Sequence, residues 1–335
     1  MIRAARLILL FSFITVCQPA FAGWQDSTLN PLEEFEEFTV DTVVTTLSSS
    51  SHVSPTSSKE SGGIYWTLTL LFFTILAGVF VRYKYTRQFR SVFLVFSVAI
   101  LGFYAGACPC AIQSLQNNIL LVSGKTVNWH SLIYFAGLIP VTYLFGRVFC
   151  GWICQLGALQ EFIFQTSRFK LLQNKRSQQI MRKIRIAVVL LLVIQLLITG
   201  TNLYKHIDPF RVIYNFYSSY PVGWWLVAVL VISSFLIYRP FCKTICPVGL
   251  LLGLISKIPG ASVLGVKESC ITCKRCNNQC SIRAITHENK VSILDNQECI
   301  RCGECLNGCV KDALSFSRNS QKHPSKVKCK ATGNI

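Results

Sequence analysis

Charge is what this chain lacks. Only 14% of its 335 residues are Asp, Glu, Lys or Arg, roughly half the share found in an ordinary soluble domain. Acid is scarcest, with 15 Asp and Glu against 33 Lys and Arg. Hydrophobic residues make up 51%, and mean hydropathy is +0.44. A wholly soluble globule is excluded; an integral membrane protein with a small polar appendage is indicated. The net charge of +18 invites a nucleic-acid partner. The basic residues, however, gather in short segments between apolar stretches, where the positive-inside rule puts them. That explanation suffices, and no nucleic acid is expected. No Cys-x-x-Cys-His haem-attachment motif occurs, so His130 and His206 read as interfacial polar residues.

Cysteine is abundant, with 16 in the chain. An extracellular disulfide scaffold would be short and loop-rich. Here the cysteines follow metal-ligand spacings, and most fall on what reads as the reducing cytoplasmic side.

The N-terminus has the form of a secretory signal. Arg3 and Arg6 precede an apolar run from Leu7 to Val16, and Ala20-Phe21-Ala22 offers a cleavage site before Gly23. Residues 1–22, with Cys17, would leave; an uncleaved anchor helix is the alternative. Residues 23–63, rich in Ser, Thr and Glu, read as an exported disordered segment.

Five stretches then have spanning length: Ile64–Val81, Ser91–Gly106, Trp129–Phe145, Ile186–Leu203 and Val222–Tyr238. Arg82, Lys84, Arg87 and Arg90 follow the first. Between the third and fourth stand Arg147, Arg168, Lys170, Lys175, Arg176, Arg182, Lys183 and Arg185, against the single acid Glu161. The opposite loops hold only Lys125, then Lys205 and Arg211 beside Asp208. Basic loops stay in the cytoplasm. The mature N-terminus is therefore expected outside and the C-terminal region inside. Trp224, Trp225, Tyr217 and Tyr220 read as an interfacial aromatic belt.

The C-terminal region carries Cys270-x2-Cys273-x2-Cys276-x3-Cys280 and then Cys299-x2-Cys302-x2-Cys305-x3-Cys309. This is the bacterial two-cluster run, in which the fourth cysteine of each set ligates the other cluster. One [4Fe–4S] cluster is expected on Cys270, Cys273, Cys276 and Cys309, the other on Cys299, Cys302, Cys305 and Cys280. Ala284-Ile285 and Ala313-Leu314 extend the repeat, each opening a short strand, with Val291–Leu294 pairing with the first. Ser281 and Val310 stand where such runs usually have proline, which removes no ligand. Zinc also binds four-cysteine sites, but the doubled spacing argues for clusters.

A second repeat matches Arg147-Val-Phe149-Cys150-x2-Ile153-Cys154-x2-Gly157-x-Leu159 to Arg239-Pro-Phe241-Cys242-x2-Ile245-Cys246-x2-Gly249-x-Leu251. Both copies follow outside-to-inside spans, so both should lie at the cytoplasmic membrane face. Cysteines at i and i+4 share a helix face, and two such faces would bring four thiols together. Buried structural cysteine is the plain alternative; the matched Arg, Phe and Gly favour a redox or metal role. Cys108-Pro109-Cys110 ends the second span on the outer side, as an exposed redox pair, half of a shared metal site, or two unremarkable thiols.

Paired Cys-x3-Cys segments after membrane spans, followed by a two-cluster ferredoxin run, resemble the NapH/NosR-type membrane iron–sulfur proteins over roughly Ile64 to Phe316. Cys242-x3-Cys246-Pro247 matches the family's Cys-x3-Cys-Pro, whereas Cys150-x3-Cys154-Gln155 lacks the proline. Cys108-Pro109-Cys110, with Gln113 and Gln116, resembles a subgroup found beside flavin-binding proteins.

The resemblance implies electron transfer between a quinol or cytoplasmic reductant and a periplasmic redox or flavin-binding protein, with a quinol-dehydrogenase subunit as one form. The segment before the first span is too short for a flavin domain, so any flavin would come from a partner. The expected architecture is an all-α membrane domain of about five helices over 64–258, in a bacterial inner membrane. It is joined to a small α+β two-cluster ferredoxin domain over 259–317 and a basic tail over 318–335. An assembly factor reducing a metal or disulfide through Cys108 and Cys110, and a non-catalytic anchor for a soluble oxidoreductase, are the alternatives.

Overall fold

The computed structural model describes residues 57–106, 110–124, 129–166, 174–200, 204, 208–215, 221–267, 269–271, 273–288, 291–318 and 326–328. The signal peptide, nearly all of the exported segment, Cys108, Pro109, Lys125, His206, Tyr217 and Tyr220 lie outside them.

Helix α1 (Ser57–Phe80) is followed by a 3-10 turn, Thr86–Phe89, that leads without a break into α2 (Arg90–Phe96) and a π-helical stretch, Ser97–Tyr104. A short helix α3 (Ala111–Val122) precedes α4 (Trp129–Phe145), the π turn Phe149–Ile153 and α5 (Gln155–Thr166). The same order then recurs. The long α6 (Lys175–Thr199) ends on Gly200 in the left-handed conformation, and is followed by a short α7 (Pro209–Asn215) and an apolar α8 (Pro221–Leu236). A one-turn α9 (Pro240–Thr244) and α10 (Pro247–Ile255) complete the second set. Two long segments thus each lead into a short helix, an apolar helix, a thiol-bearing turn and a final helix.

The halves are interleaved. Helix α1 packs on α4, α3 on α4, α5 on α8 and on the π-helical stretch, and α9 on α6. The short helices sit in the interior: Tyr214 of α7 is fully buried and its ring meets Phe103 edge-on at 5.1 Å. By length and composition, the run Thr86–Tyr104 alone among the described residues meets the full requirement for crossing a membrane. Ile64–Phe80, Trp129–Phe145 and Pro221–Leu236 are shorter apolar helices.

In the C-terminal region the expected strands after Ala284, over Val291–Leu294 and after Ala313 are present, and two further strands complete two ribbons. Strand β1 (Ser262–Val266) pairs antiparallel with β4 (Leu314–Arg318), Leu264 facing Phe316. Strands β2 (Ile285–Glu288) and β3 (Val291–Leu294) form a hairpin, and β5 (Lys326–Lys328), inside the basic tail, adds to β3. Short helices α11 (Arg275–Gln279) and α12 (Glu304–Asn307) lie between them and touch each other. One apolar core runs from Leu70 and Leu101 through Trp152 to Ile285 and Leu314, joining the helical bundle to this region.

Candidate iron–sulfur centres

Two cavities open between the ribbons. One, of ≈ 450 Å³, is lined by Cys270, Cys273, Cys276 and Cys309 with the apolar side chains of Val266, Ile285 and Leu314. The other, of ≈ 400 Å³, is lined by Cys280, Cys299, Cys302 and Cys305 with Leu264, Ile300 and Phe316. Each cavity draws three thiols from one loop and the fourth from the other set. Among the described residues, no three His, Cys, Asp or Glu side chains converge closely enough to grip one metal ion. Four thiols around each cavity are the donor set that either a four-iron cluster or a single tetrahedral metal ion takes.

The crossing ligands are held alike. The N–H of Ala284 donates to Cys280 Sγ at 3.3 Å, and the N–H of Ala313 donates to Cys309 Sγ at 3.2 Å. Such bonds favour sulfur in its anionic form. Burial works the other way on the unbound thiols, pushing Cys276 up to about 11 and Cys302 up to about 12. Iron binding therefore has to displace protons that these cavities otherwise retain.

The Cys-x3-Cys repeat departs from the helix-face expectation. Cys150 lies in the π turn, but Cys154 is extended (φ −62°, ψ 113°) and leads into α5. Cys242 lies in α9, and Cys246 is extended in the same way (φ −63°, ψ 113°) at the start of α10. The two cysteines of each pair thus flank a break between a turn and a helix. In the second copy Pro247 enforces the break, because a residue before proline is driven out of the helical region. In the first copy Gln155 permits an identical backbone. The extended cap lets Cys246 Sγ accept the N–H of Gly249 at 3.4 Å, and Gly157 stands at the matching position ahead of Cys154.

The copies brace each other. Arg239 donates to the carbonyl of Cys150 and lies 2.9 Å from where a Cβ on Gly157 would stand. Arg147 lies in charge range of the Cys150 thiol and 3.0 Å from the corresponding position on Gly249. The matched glycines are therefore the floor on which the partner copy's arginine rests. Cys154 is close enough to Cys150, Cys242 and Cys246 for their charges to interact.

A buried acid underlies this arrangement. Glu161 Oε2 accepts from Arg90 Nη2 at 2.7 Å, Arg239 Nη2 at 2.5 Å and the Tyr238 hydroxyl at 2.8 Å. Burial alone would raise its pKa, but Arg90 and Arg239 outweigh it and hold the carboxyl at about 2.

The ferredoxin region is clamped onto the thiol turns. Trp152 Nε1 donates to the Arg301 carbonyl at 3.0 Å, and a Cβ on Gly151 would collide with the Ile300 carbonyl. Arg147 donates to the Gln297 carbonyl, Arg182 pairs with Asp295 at 3.2 Å, and Arg185 pairs with Glu298. Arg90 reaches Glu304 at 3.4 Å. The loop carrying Cys299 and Cys302 thereby rests on the turn carrying Cys150.

Cys110 is buried rather than exposed, with Sγ 3.8 Å from Asp208 Oδ2. Each residue immediately precedes a short interior helix. The partly buried His130 has an Nδ1 without a hydrogen-bond partner. Sequence reasoning missed Arg90, Trp152 and Tyr238 as parts of this assembly; the matched Arg147 and Arg239 of the repeat were the signal that pointed to it.

A family model described as a 4Fe-4S binding domain matches residues 127–176 and 220–265. These segments hold Cys150, Cys154, Cys242 and Cys246. An uncharacterized protein of Methanocaldococcus jannaschii is 31% identical over 68% of this chain and 92% of its own length. The ferredoxin-type protein NapH of Escherichia coli is 26% identical, over 55% of this chain and 68% of NapH. The regulatory protein NosR of Stutzerimonas stutzeri is 26% identical over 74% of this chain and 36% of NosR. The chain belongs to the NapH/NosR-type 4Fe–4S family. No solved structure matches it. Membership makes it a ferredoxin-type electron-transfer protein that binds iron–sulfur clusters.

Proposed function

We propose that the chain is a five-span inner-membrane protein that carries single electrons between a cytoplasmic reductant or quinol and a periplasmic redox or flavin-binding partner. Two [4Fe–4S] clusters would be held by Cys270, Cys273, Cys276 and Cys309, and by Cys280, Cys299, Cys302 and Cys305. The observation that carries this reading is the pair of cavities, each ringed by one of these interleaved sets of free thiols.

Bound clusters supply one-electron chemistry. The chain's own residues set where those electrons can go. Arg147, Arg182 and Arg185 hold the Asp295–Glu298 segment against the helical bundle, and Trp152 holds Arg301. The cavity of Cys299 and Cys302 therefore faces the bundle through van der Waals contact. The multi-pass reading is supported by apolar side chains turned outward along the helices. Leu68 and Phe72 on α1, Leu191 and Ile198 on α6, and Val229 and Ile232 on α8 are all more than half exposed. Contiguous apolar surface of that kind needs a lipid or protein cover. The burial of Cys110 weighs against the reading in which it works at an exposed end.

The test is elemental analysis of anaerobically purified protein. Replacing all eight C-terminal cysteines by serine should remove about eight irons and eight acid-labile sulfides per chain. Stoichiometric zinc in the unaltered protein, with iron near zero, would overturn the assignment.

A further inference from the structure

The family model that names iron–sulfur binding falls on the wrong cysteines for the two cavities. Its matched segments, 127–176 and 220–265, contain Cys150 and Cys154 in one and Cys242 and Cys246 in the other. A cubane held by protein thiolates takes four of them. Neither segment can supply four, but the two together can.

The structure brings the segments together in the manner this requires. The reciprocal braces of Arg147 on Gly249 and Arg239 on Gly157 place the two turns face to face about an approximate two-fold relation. Cys154 and Cys246 share one backbone geometry, with Gly157 and Gly249 each three residues ahead, and the Cys246 sulfur accepts the N–H of Gly249. That is the bonding already seen at the crossing ligands of the soluble cavities, where a main-chain N–H supports each sulfur. Cys242 lies in charge range of three guanidiniums, Arg147, Arg185 and Arg239. Among the described residues the only acid bonded to any of these three, apart from Glu298, is Glu161. Several buried cations facing four thiols suit a bound group that is itself anionic. The fully buried hydroxyl of Tyr214, in charge range of Cys154, has no hydrogen-bond partner.

We propose that Cys150, Cys154, Cys242 and Cys246 jointly ligate a third iron–sulfur cluster, shared between the two repeats. This rests on the electron-transfer reading above and names the ligand of its membrane-edge thiols. The Gly151–Ile300 contact places the third centre next to the cavity of Cys299 and Cys302. One electron leaving that second cluster would reduce the third by one, and no other reactant is consumed.

The experiment compares iron, sulfide and low-temperature EPR of anaerobic preparations of three full-length chains. The unaltered protein should carry more than eight irons, about twelve for a [4Fe–4S] third centre or about ten for a [2Fe–2S] one. The quadruple variant Cys150→Ser, Cys154→Ser, Cys242→Ser, Cys246→Ser should fall to about eight irons while keeping both ferredoxin-type signals. The eight-serine ferredoxin variant should keep about four or two irons with a separate reducible signal. This last chain answers the question even where the quadruple variant does not accumulate. Eight irons in the unaltered protein and none in the eight-serine variant would overturn the shared site and leave the two-cluster reading standing. Iron in the eight-serine variant, with none lost relative to the unaltered protein, would instead overturn the two-cluster reading.

Discussion

The ferredoxin region and the Cys-x3-Cys turns are both duplications that group thiols in fours, yet they are built by opposite means. In the ferredoxin region one tight loop supplies three ligands and a chain crossing supplies the fourth. In the Cys-x3-Cys repeat each copy supplies two thiols, and what joins the copies is a pair of charged side chains: Arg147 and Arg239 reach across to the partner copy's glycine and backbone. A site built by local spacing tolerates rearrangement elsewhere. A site built by reciprocal buried arginines depends on the counter-charge of those arginines, and that dependence can be tested.

The largest effect is expected at Glu161. Glu161→Gln keeps the side-chain volume but leaves Arg90 and Arg239 buried without their shared carboxylate, a change that typically costs about 3–5 kcal/mol. Thermal unfolding in detergent should show the loss, with the thiol turns disordered before the ferredoxin ribbons. The pH dependence has a definite sign. Because the folded carboxyl is held at about 2, below its ordinary value, its stabilisation is fully present above about 4.5 and fades as pH falls toward the folded value. The stability gap between unaltered protein and Glu161→Gln should therefore narrow across that acid window. A gap that is constant from neutral pH down to the folded value would show that the ion triad is not what the turns rest on.

Much of this was legible in the amino-acid order, and the boundary between what was and was not is physical. The cavities were legible because three of four ligands in each are close in sequence, and the β2–β3 hairpin because Ile285 and Leu294 flank a short turn. Strand β1 was not, since its partner β4 lies on the far side of both thiol sets. The interior helices Ala111–Val122 and Pro209–Asn215 were equally hidden. Their hydrophobic runs are too short to signal a span, and their depth comes only from packing, as with Tyr214 against Phe103. The arginines after the apolar stretches were readable as a topology signal. That Arg147, Arg182 and Arg185 also grip Glu298, Asp295 and Gln297 depends on acids located over a hundred residues further on. The helix-face reading of Cys150 and Cys154 failed for a local reason: an extended residue at each second cysteine interrupts the helix.

An intermediate effect is expected where the two regions meet. Burial alone would raise the pKa of Glu298, but Arg147 and Arg185 outweigh it and hold the carboxyl below its usual range. Glu298→Gln should cost about 1.5–3 kcal/mol, the scale of charge-assisted hydrogen bonds. The loss should appear as faster hydrogen exchange and protease cleavage in Asp295–Arg301, with cluster content retained. Loss of cluster iron in this variant, with exchange unchanged, would mean that Glu298 serves the cavity and not the clamp.

The smallest effect separates the two copies of the Cys-x3-Cys repeat from each other. Pro247 follows Cys246, whereas Gln155 follows Cys154, yet the two cysteines have the same backbone angles within a degree. Proline at the first position of a helix sacrifices no internal hydrogen bond, since that N–H has no helical partner. Its contribution is to limit the unfolded chain, worth about 0.4–1 kcal/mol where the native angles already suit it. Pro247→Gln should therefore lower stability by no more than that and leave iron content and EPR signals unchanged, because the first copy holds its thiol in place with glutamine. If Pro247→Gln instead strips iron or costs several times as much, proline is an active constraint on the Cys246 sulfur. The matching geometry of Cys154 would then have to be maintained by something the second copy lacks, for which the bond from Gln155 Nε2 to the Leu101 carbonyl at 3.5 Å is the first candidate to remove.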